Sequence, residues 1–273
     1  HIGDNSFETI KVKEIEGYNL DIFFAGRIVG EKLVLFGCLY PAIAVLNLST
    51  LEVEYHEKPF EDKLKLQKEV NDSFFRYDTV SVGDSVYATS CISNEILEFC
   101  VSEGNYKWHT VGSKDNKYSG IAWDGEKFWI SSRRGYKAVC WSPDNNEIEE
   151  IDLSVFYLGE NDKDKCTFLG IVYDGKNVIL PGMQINRTII INPETKEIKS
   201  SDGKYLFYCH RDGVNIGLDE DGILKIYHPG DYEMPADKIE TLNDRALRAK
   251  LIHETGELIH EGYKDIRLED FIQ

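Results

Sequence analysis

Asp124-Gly-Glu-Lys-Phe-Trp-Ile130 decides the fold: a small polar turn ending in glycine opens directly onto an apolar run. The phrase recurs as Val-Gly-Glu-Lys-Leu-Val-Leu-Phe at 29–36, Val-Gly-Asp-Ser-Val-Tyr-Ala at 82–88, Asp-Gly-Lys-Asn-Val-Ile-Leu at 174–180 and Asp-Gly-Val-Asn-Ile-Gly-Leu at 212–218. The turn glycines, Gly30, Gly83, Gly125, Gly175 and Gly213, lie about 46 residues apart on average, which is the period of a propeller blade.

Each unit reads as four strands. Strand a precedes the glycine turn (120–123, 170–173) and strand b follows it (128–131, 178–180). Strand c comes after a variable loop (43–48, 96–101, 138–141, 188–191, 223–227), and strand d closes the unit (51–56, 107–111, 147–153, 197–200). Three c strands stop at Ser142-Pro143, Asn192-Pro193 and His228-Pro229; proline fixes φ and removes a ladder donor, so it ends a strand and opens a turn. A β-sandwich also has short strands, but it does not require the same glycine turn, gap and proline stop to recur in register.

The pattern over about 24–234 resembles kelch and related bacterial β-propeller repeats, in which a turn glycine precedes an aromatic-bearing strand. It departs from kelch where a Gly-Gly doublet should end strand b: Phe36-Gly37, Ser131-Ser132 and Pro181-Gly182 stand there instead. The resemblance implies an all-β propeller of four-stranded antiparallel blades. The 273 residues, at about 46 per unit, predict six blades in one domain, with five as the alternative. The repeats fall at 24–56, 77–111, 118–153, 168–201, 204–234 and 245–273. Gly256 turns the sixth, 264–270 is its strand c, and an N-terminal strand within 5–16, carrying Ile10, Val12 and Ile15, closes it. Such a closure removes exposed sheet edges. In the five-blade alternative 238–253 is an outer helix, with Ile239, Leu242, Ala246 and Ala249 at helical spacing.

A chain 42% hydrophobic and 12% aromatic has ample material for one core. No apolar run is long enough for a membrane span and no signal-peptide pattern is visible, which predicts a cytoplasmic protein without membrane partners. Cys38, Cys91, Cys100, Cys140, Cys166 and Cys209 form no C-x-x-C pair, so reduced buried thiols are expected and no metal. A net charge of −17 argues against nucleic acid, which demands a basic footprint. Walker, G-x-G-x-x-G, H-E-x-x-H, G-x-S-x-G and EF-hand patterns are all missing from the sequence, so no cofactor is expected.

In a four-stranded blade the b–c loops and d–a connections emerge on one face, and the a–b and c–d turns on the other. The variable loops therefore share a face, where a rigid scaffold can position functional side chains. The b–c loops offer Tyr40, Asn94, Arg133, Arg134, Tyr136, Gln184, Asn186 and Arg187, a mixture that suits a small-molecule or peptide pocket. The acidic fifth loop, 219–222, reads as a solvated turn. Pro59 to Asn71 has helical propensity in a long d–a connection. Five residues before each turn glycine stand Ala25, Asp78, Gly120, Gly170 and Tyr208, near the axis. Asp78 is the exception among mostly small residues: it is a candidate acid or base, with Arg27 as ion-pair partner or ligand contact. His210 reads as a satisfied core histidine.

These features predict a propeller whose loop face binds an anionic small molecule or peptide through Arg133 and Arg134. The alternative is a hydrolase, lyase or isomerase with Asp78 at its centre, because propellers of this resemblance include sugar-acid mutarotases, glycan-active enzymes and aminoacyl cyclases. A structural module docking a protein partner through 59–71 is the third reading.

Overall fold

The computed structural model describes residues 10–16, 18, 23–76, 78–157, 167–211, 213–219, 224–229 and 240–242. Among them five antiparallel four-stranded sheets follow one another along the chain, each ordered from inner to outer strand as the sequence runs. Blade 1 comprises β1 (Phe23–Val29), β2 (Lys32–Gly37), β3 (Ile43–Asn47) and β4 (Val53–His56), and blade 2 comprises β5 (Thr79–Val82), β6 (Ser85–Thr89), β7 (Glu95–Cys100) and β8 (Tyr106–Thr110). Blade 3 holds β9 (Tyr118–Trp123), β10 (Phe128–Ser132), β11 (Lys137–Ser142) and β12 (Glu147–Asp152). Blade 4 holds β13 (Val172–Tyr173), β14 (Val178–Leu180), β15 (Thr188–Ile191) and β16 (Ile198–Ser201), and blade 5 holds β17 (Tyr205–Arg211), β18 (Val214–Asp219), β19 (Leu224–Tyr227) and β20 (Glu240–Leu242). The inner strands pack successively, β1 on β5, β5 on β9, β9 on β13 and β13 on β17, and so circle an axis.

Stacked blades explain why the b strands read as unbroken apolar runs rather than alternating ones: both faces are buried. All of Phe128–Ser132 is buried. Phe128 and Ile130 join Tyr87 and Ile96 of blade 2, while Trp129 points the other way, among Val178, Leu180 and Ile191 of blade 4.

The five glycine turns have positive φ, from 58° at Gly30 to 105° at Gly125. Asp124 and Asp174 brace theirs as Asx turns, each Oδ1 accepting two backbone N–H groups. A second repeated turn carries no fixed residue. In the c–d turns the left-handed position is held by Leu51 (φ 60°), Gly104 (67°), Asn146 (54°) and Lys196 (60°). Leucine is strained there and asparagine is tolerated. Leu51→Asn is expected to stabilise by about 0.5 kcal/mol and Asn146→Leu to destabilise by about 1 kcal/mol, read as opposite shifts of the urea midpoint.

The described residues thus form five blades where length predicts six. The glycine spacing itself fits, since Phe23 to Leu242 at about 46 residues per unit holds five units; the sixth comes from dividing the whole length, which counts residues outside that span as blade. The repeat expected at 245–273 lies outside the described residues, as do residues 5–9 of its closing strand. Residues 10–16 form no strand; they lie on blade 1, where Lys13 N–H donates to Tyr55 Oη (2.9 Å) and Tyr40 Oη donates to the Lys13 carbonyl (2.7 Å). The five-blade alternative matches the described residues in blade number but not in its outer helix, since Glu240–Leu242 is the outer strand of blade 5, past the repeat end expected at 234.

Candidate functional site

The connection from blade 1 to blade 2 builds the centre of the loop face. A 3-10 turn over Lys58–Lys63 runs into α1 (Leu64–Val70), and Asn71, at φ 54°, ends the helix with its N–H on the Gln67 carbonyl. The expected helix is therefore present, and it is tied down. Phe60, Phe74 and Phe75 are buried against Phe36 and Phe99, and Trp108 Nε1 donates to the Pro59 carbonyl (3.2 Å). Phe74 then threads between two b–c loops, its N–H on the Cys38 carbonyl (2.7 Å) and its carbonyl on the Cys91 N–H (2.9 Å).

This threading presents Asp72 to blade 3. Arg133, buried at the end of β10, clamps it with two prongs: Nε to Oδ2 at 3.3 Å and Nη2 to Oδ1 at 3.2 Å. The Ser73 N–H adds a bond to Oδ1 at 2.8 Å. Two further guanidinium groups stand at 3.9 Å (Arg76) and 4.0 Å (Arg134) from the same carboxylate. Burial works to raise the Asp72 pKa, but the Arg133 and Ser73 hydrogen bonds and the charges of Arg133 and Arg76 outweigh it, so the carboxyl sits below its ordinary value. Three cations around one anion leave an excess of positive charge on a protein of net −17. The side chains of Arg76 and Arg134 are 37% and 54% exposed, and carry that excess to solvent. Beneath them burial pushes the Cys91 thiol up to about 12, so it is no nucleophile at neutral pH.

Two residues after Arg76, Asp78 enters the axis ahead of β5. Its Oδ2 crosses to blade 4 and accepts the Ile171 N–H at 2.9 Å. Glycine is required on the way: a Cβ on Gly170 would lie 2.1 Å from Oδ2 and one on Gly120 at 3.0 Å. Burial raises the Asp78 pKa from 3.8 to about 6, against the opposing pull of the Ile171 N–H and the Arg27 charge. Arg27 donates to the Thr79 carbonyl, and Thr79 Oγ1 donates to the Gly26 carbonyl (3.1 Å).

The other sequence candidates are spread around the face. Tyr40 is buried, edge-on to Phe23. Asn94 Nδ2 caps the Gly112 carbonyl (3.1 Å). Tyr136 is buried, stacked on Tyr157 at 4.5 Å. Gln184 and Asn186 are exposed, and Arg187 reaches Asp202 at 3.8 Å. Asp219, expected in a solvated turn, is buried and paired with Lys225 (2.9 Å). His210 Nδ1 bonds Asn215 Oδ1 (2.9 Å), whose Nδ2 donates to Asp174 Oδ2 (3.1 Å), a blade 4 to blade 5 link. Sequence reasoning missed Asp72 and Arg76; the available signal was a pair of charges bracketing the apolar Phe74-Phe75. Among the described residues no group of three or more His, Cys, Asp or Glu side chains is placed to hold a metal ion, and no helix is long and apolar enough to cross a membrane.

No family model matches the chain, and no curated protein does. Solved structures do. A streptogramin B lyase superposes with a TM-score of 0.63 at 12% identity, over 84% of this chain and 70% of that one. A protein from Bacteroides uniformis described as a 6-phosphogluconolactonase gives 0.55 at 12% identity, over 80% and 69%. The extracellular domain of BT4673 from B. thetaiotaomicron, described as a one-component system, gives 0.53 at 16%, over 82% of this chain but only 28% of that one. The fold is therefore an all-β propeller of four-stranded blades, and likeness at these identities reaches no further. It supports the propeller and not kelch repeats in particular.

Proposed function

We propose that this protein is a ligand-binding propeller whose loop face holds an anionic small molecule, or the carboxylate of a peptide, at Arg76 and Arg134. The observation that carries the reading is the unequal use of three guanidinium groups. Arg133 is committed to Asp72 in a buried fork, whereas Arg76 and Arg134 stand at the outer limit of ion pairing and half in solvent. A carboxylate arriving there gains charge-assisted bonds without breaking the fork, and the fork fixes the base of the Arg134 loop. The thiols of Cys91, Cys100 and Cys140 fit work in a reducing compartment such as the cytoplasm.

Calorimetric titration with a panel of sugar acids and peptides with free C-termini tests the reading. Arg76→Gln with Arg134→Gln is expected to weaken binding at least about tenfold, at 1.5–3 kcal/mol per charged contact, with the melting temperature unchanged. A panel in which nothing binds, or a double variant that binds as tightly, defeats it.

Asp78 favours a second reading, acid–base catalysis at the axis. A carboxyl titrating at about 6 is ionised at neutral pH yet basic enough to take a proton from a bound hydroxyl or activated C–H group. In that reading Arg76 and Arg134 orient the substrate carboxylate. Turnover lost in Asp78→Asn while calorimetric binding persists would distinguish it; equal turnover in both proteins removes Asp78 from the chemistry.

A further inference from the structure

We propose that the face of blade 1 turned away from blade 2 is covered by the chain's own residues 243–273. Alternate side chains of β1 point to opposite sides of the sheet. On one side Ala25 is buried with Val34 and Phe36 against Val86 and Phe99 of blade 2. On the other, Ile28 is 55% exposed, and Phe24, in the irregularity between Phe23 and Ala25, is 60% exposed. Leu33 and Leu35 share that side, since a Cβ on Gly26 would meet Leu35 Cδ2 at 2.8 Å and Leu33 Cδ1 at 3.7 Å. An apolar sheet face of this kind is left bare in no other blade interface described above. At the far end of the array Leu206 of β17 is likewise 45% exposed, and among the described residues β17 does not pack along β1 as β1 does along β5.

The course of the chain names the occupant. At each earlier step it leaves the outer strand of one blade and enters the next position round the axis, from β4 to β5, β8 to β9, β12 to β13 and β16 to β17. Leu242 ends the outer strand of blade 5, so the next position is the one bounded by the two uncovered faces. The 31 residues after Leu242 supply apolar side chains for it, among them Leu247, Leu251, Ile252, Leu258, Ile259 and Ile266.

Lysine substitutions in the full chain test the proposal. Phe24→Lys and Ile28→Lys are each expected to lower the melting temperature by roughly 5–10 °C, as for charging a covered apolar site. Val155→Lys, at a 61% exposed position in the connection between blades 3 and 4, serves as control and should leave it unchanged. Amide hydrogen exchange over 23–29 gives a second readout: slow in the full chain, fast in a chain ended at Leu242, with the full chain monomeric by light scattering. Equal melting temperatures for all three variants, or equal exchange in both chains, overturn the proposal. So does a dimer whose dissociation exposes 23–29, which would assign the face to a second copy. Where the shortened chain does not fold, the lysine comparison decides.

Discussion

Arg133→Ala should lower stability by about 3 kcal/mol or more, since removing one partner of a buried ion pair leaves the other charged and desolvated. For a chain of this size that is a fall in melting temperature on the order of 10 °C. Asp72 would lose both prongs of the fork, at 3.3 and 3.2 Å. Arg76 and Arg134, at 3.9 and 4.0 Å, would still offset part of the carboxylate's charge, which puts the effect at the lower end of the 3–5 kcal/mol usual for such deletions. The loss belongs to the orphaned carboxylate rather than to the pair. Arg133→Met combined with Asp72→Asn is accordingly expected to recover most of it, because a neutral amide still accepts the Ser73 N–H. Thermal unfolding of the three proteins checks this. A single variant that melts within about 2 °C of the parent would show the fork to be dispensable.

Asp78→Asn should do the opposite at neutral pH. The folded protein holds the Asp78 proton with a pKa of about 6, against the ordinary 3.8 that applies in the unfolded chain. Between those values the folded state carries more of the proton than the unfolded state, so stability falls as pH rises through the window and stays low above it. The ionised carboxylate costs up to about 3 kcal/mol. An amide in its place accepts the same Ile171 N–H and does not titrate. The variant should exceed the parent in urea midpoint at pH 8, with the advantage shrinking toward zero by pH 4. A variant less stable than its parent at pH 8 would mean that the charge itself holds the axis together.

How much of this was legible depends on how far the deciding contact reaches. Asp124-Gly125 and its relatives declare themselves locally, since a φ of 105° at Gly125 selects glycine whatever surrounds it. The c–d turns repeat as strictly in backbone shape but use Leu51, Gly104, Asn146 and Lys196, so no residue type betrays them. Asp78 could be found by counting back from Gly83, because the axis admits small side chains and a carboxylate stands out. Arg133 looked like a ligand contact because its loop position is visible in the sequence and its partner is not: Asp72 lies 61 residues away, in a connection that appears to be mere linker until Phe74 and Phe75 are seen to anchor it. The count of six had a different source: dividing the full length by the glycine spacing treats residues outside Phe23–Leu242 as blade.

A stack of repeats that touch only their neighbours should come apart one unit at a time. The two carboxylates at the loop face work against that. Asp72, in the stretch entering blade 2, grips blade 3, and Asp78 passes over blade 3 to grip blade 4. The links bring three successive units into a single cooperative block, and they do so where a ligand would sit. Occupancy at this face would then be felt as resistance to unfolding across the block, so that the molecule reports what it holds through its own mechanical integrity.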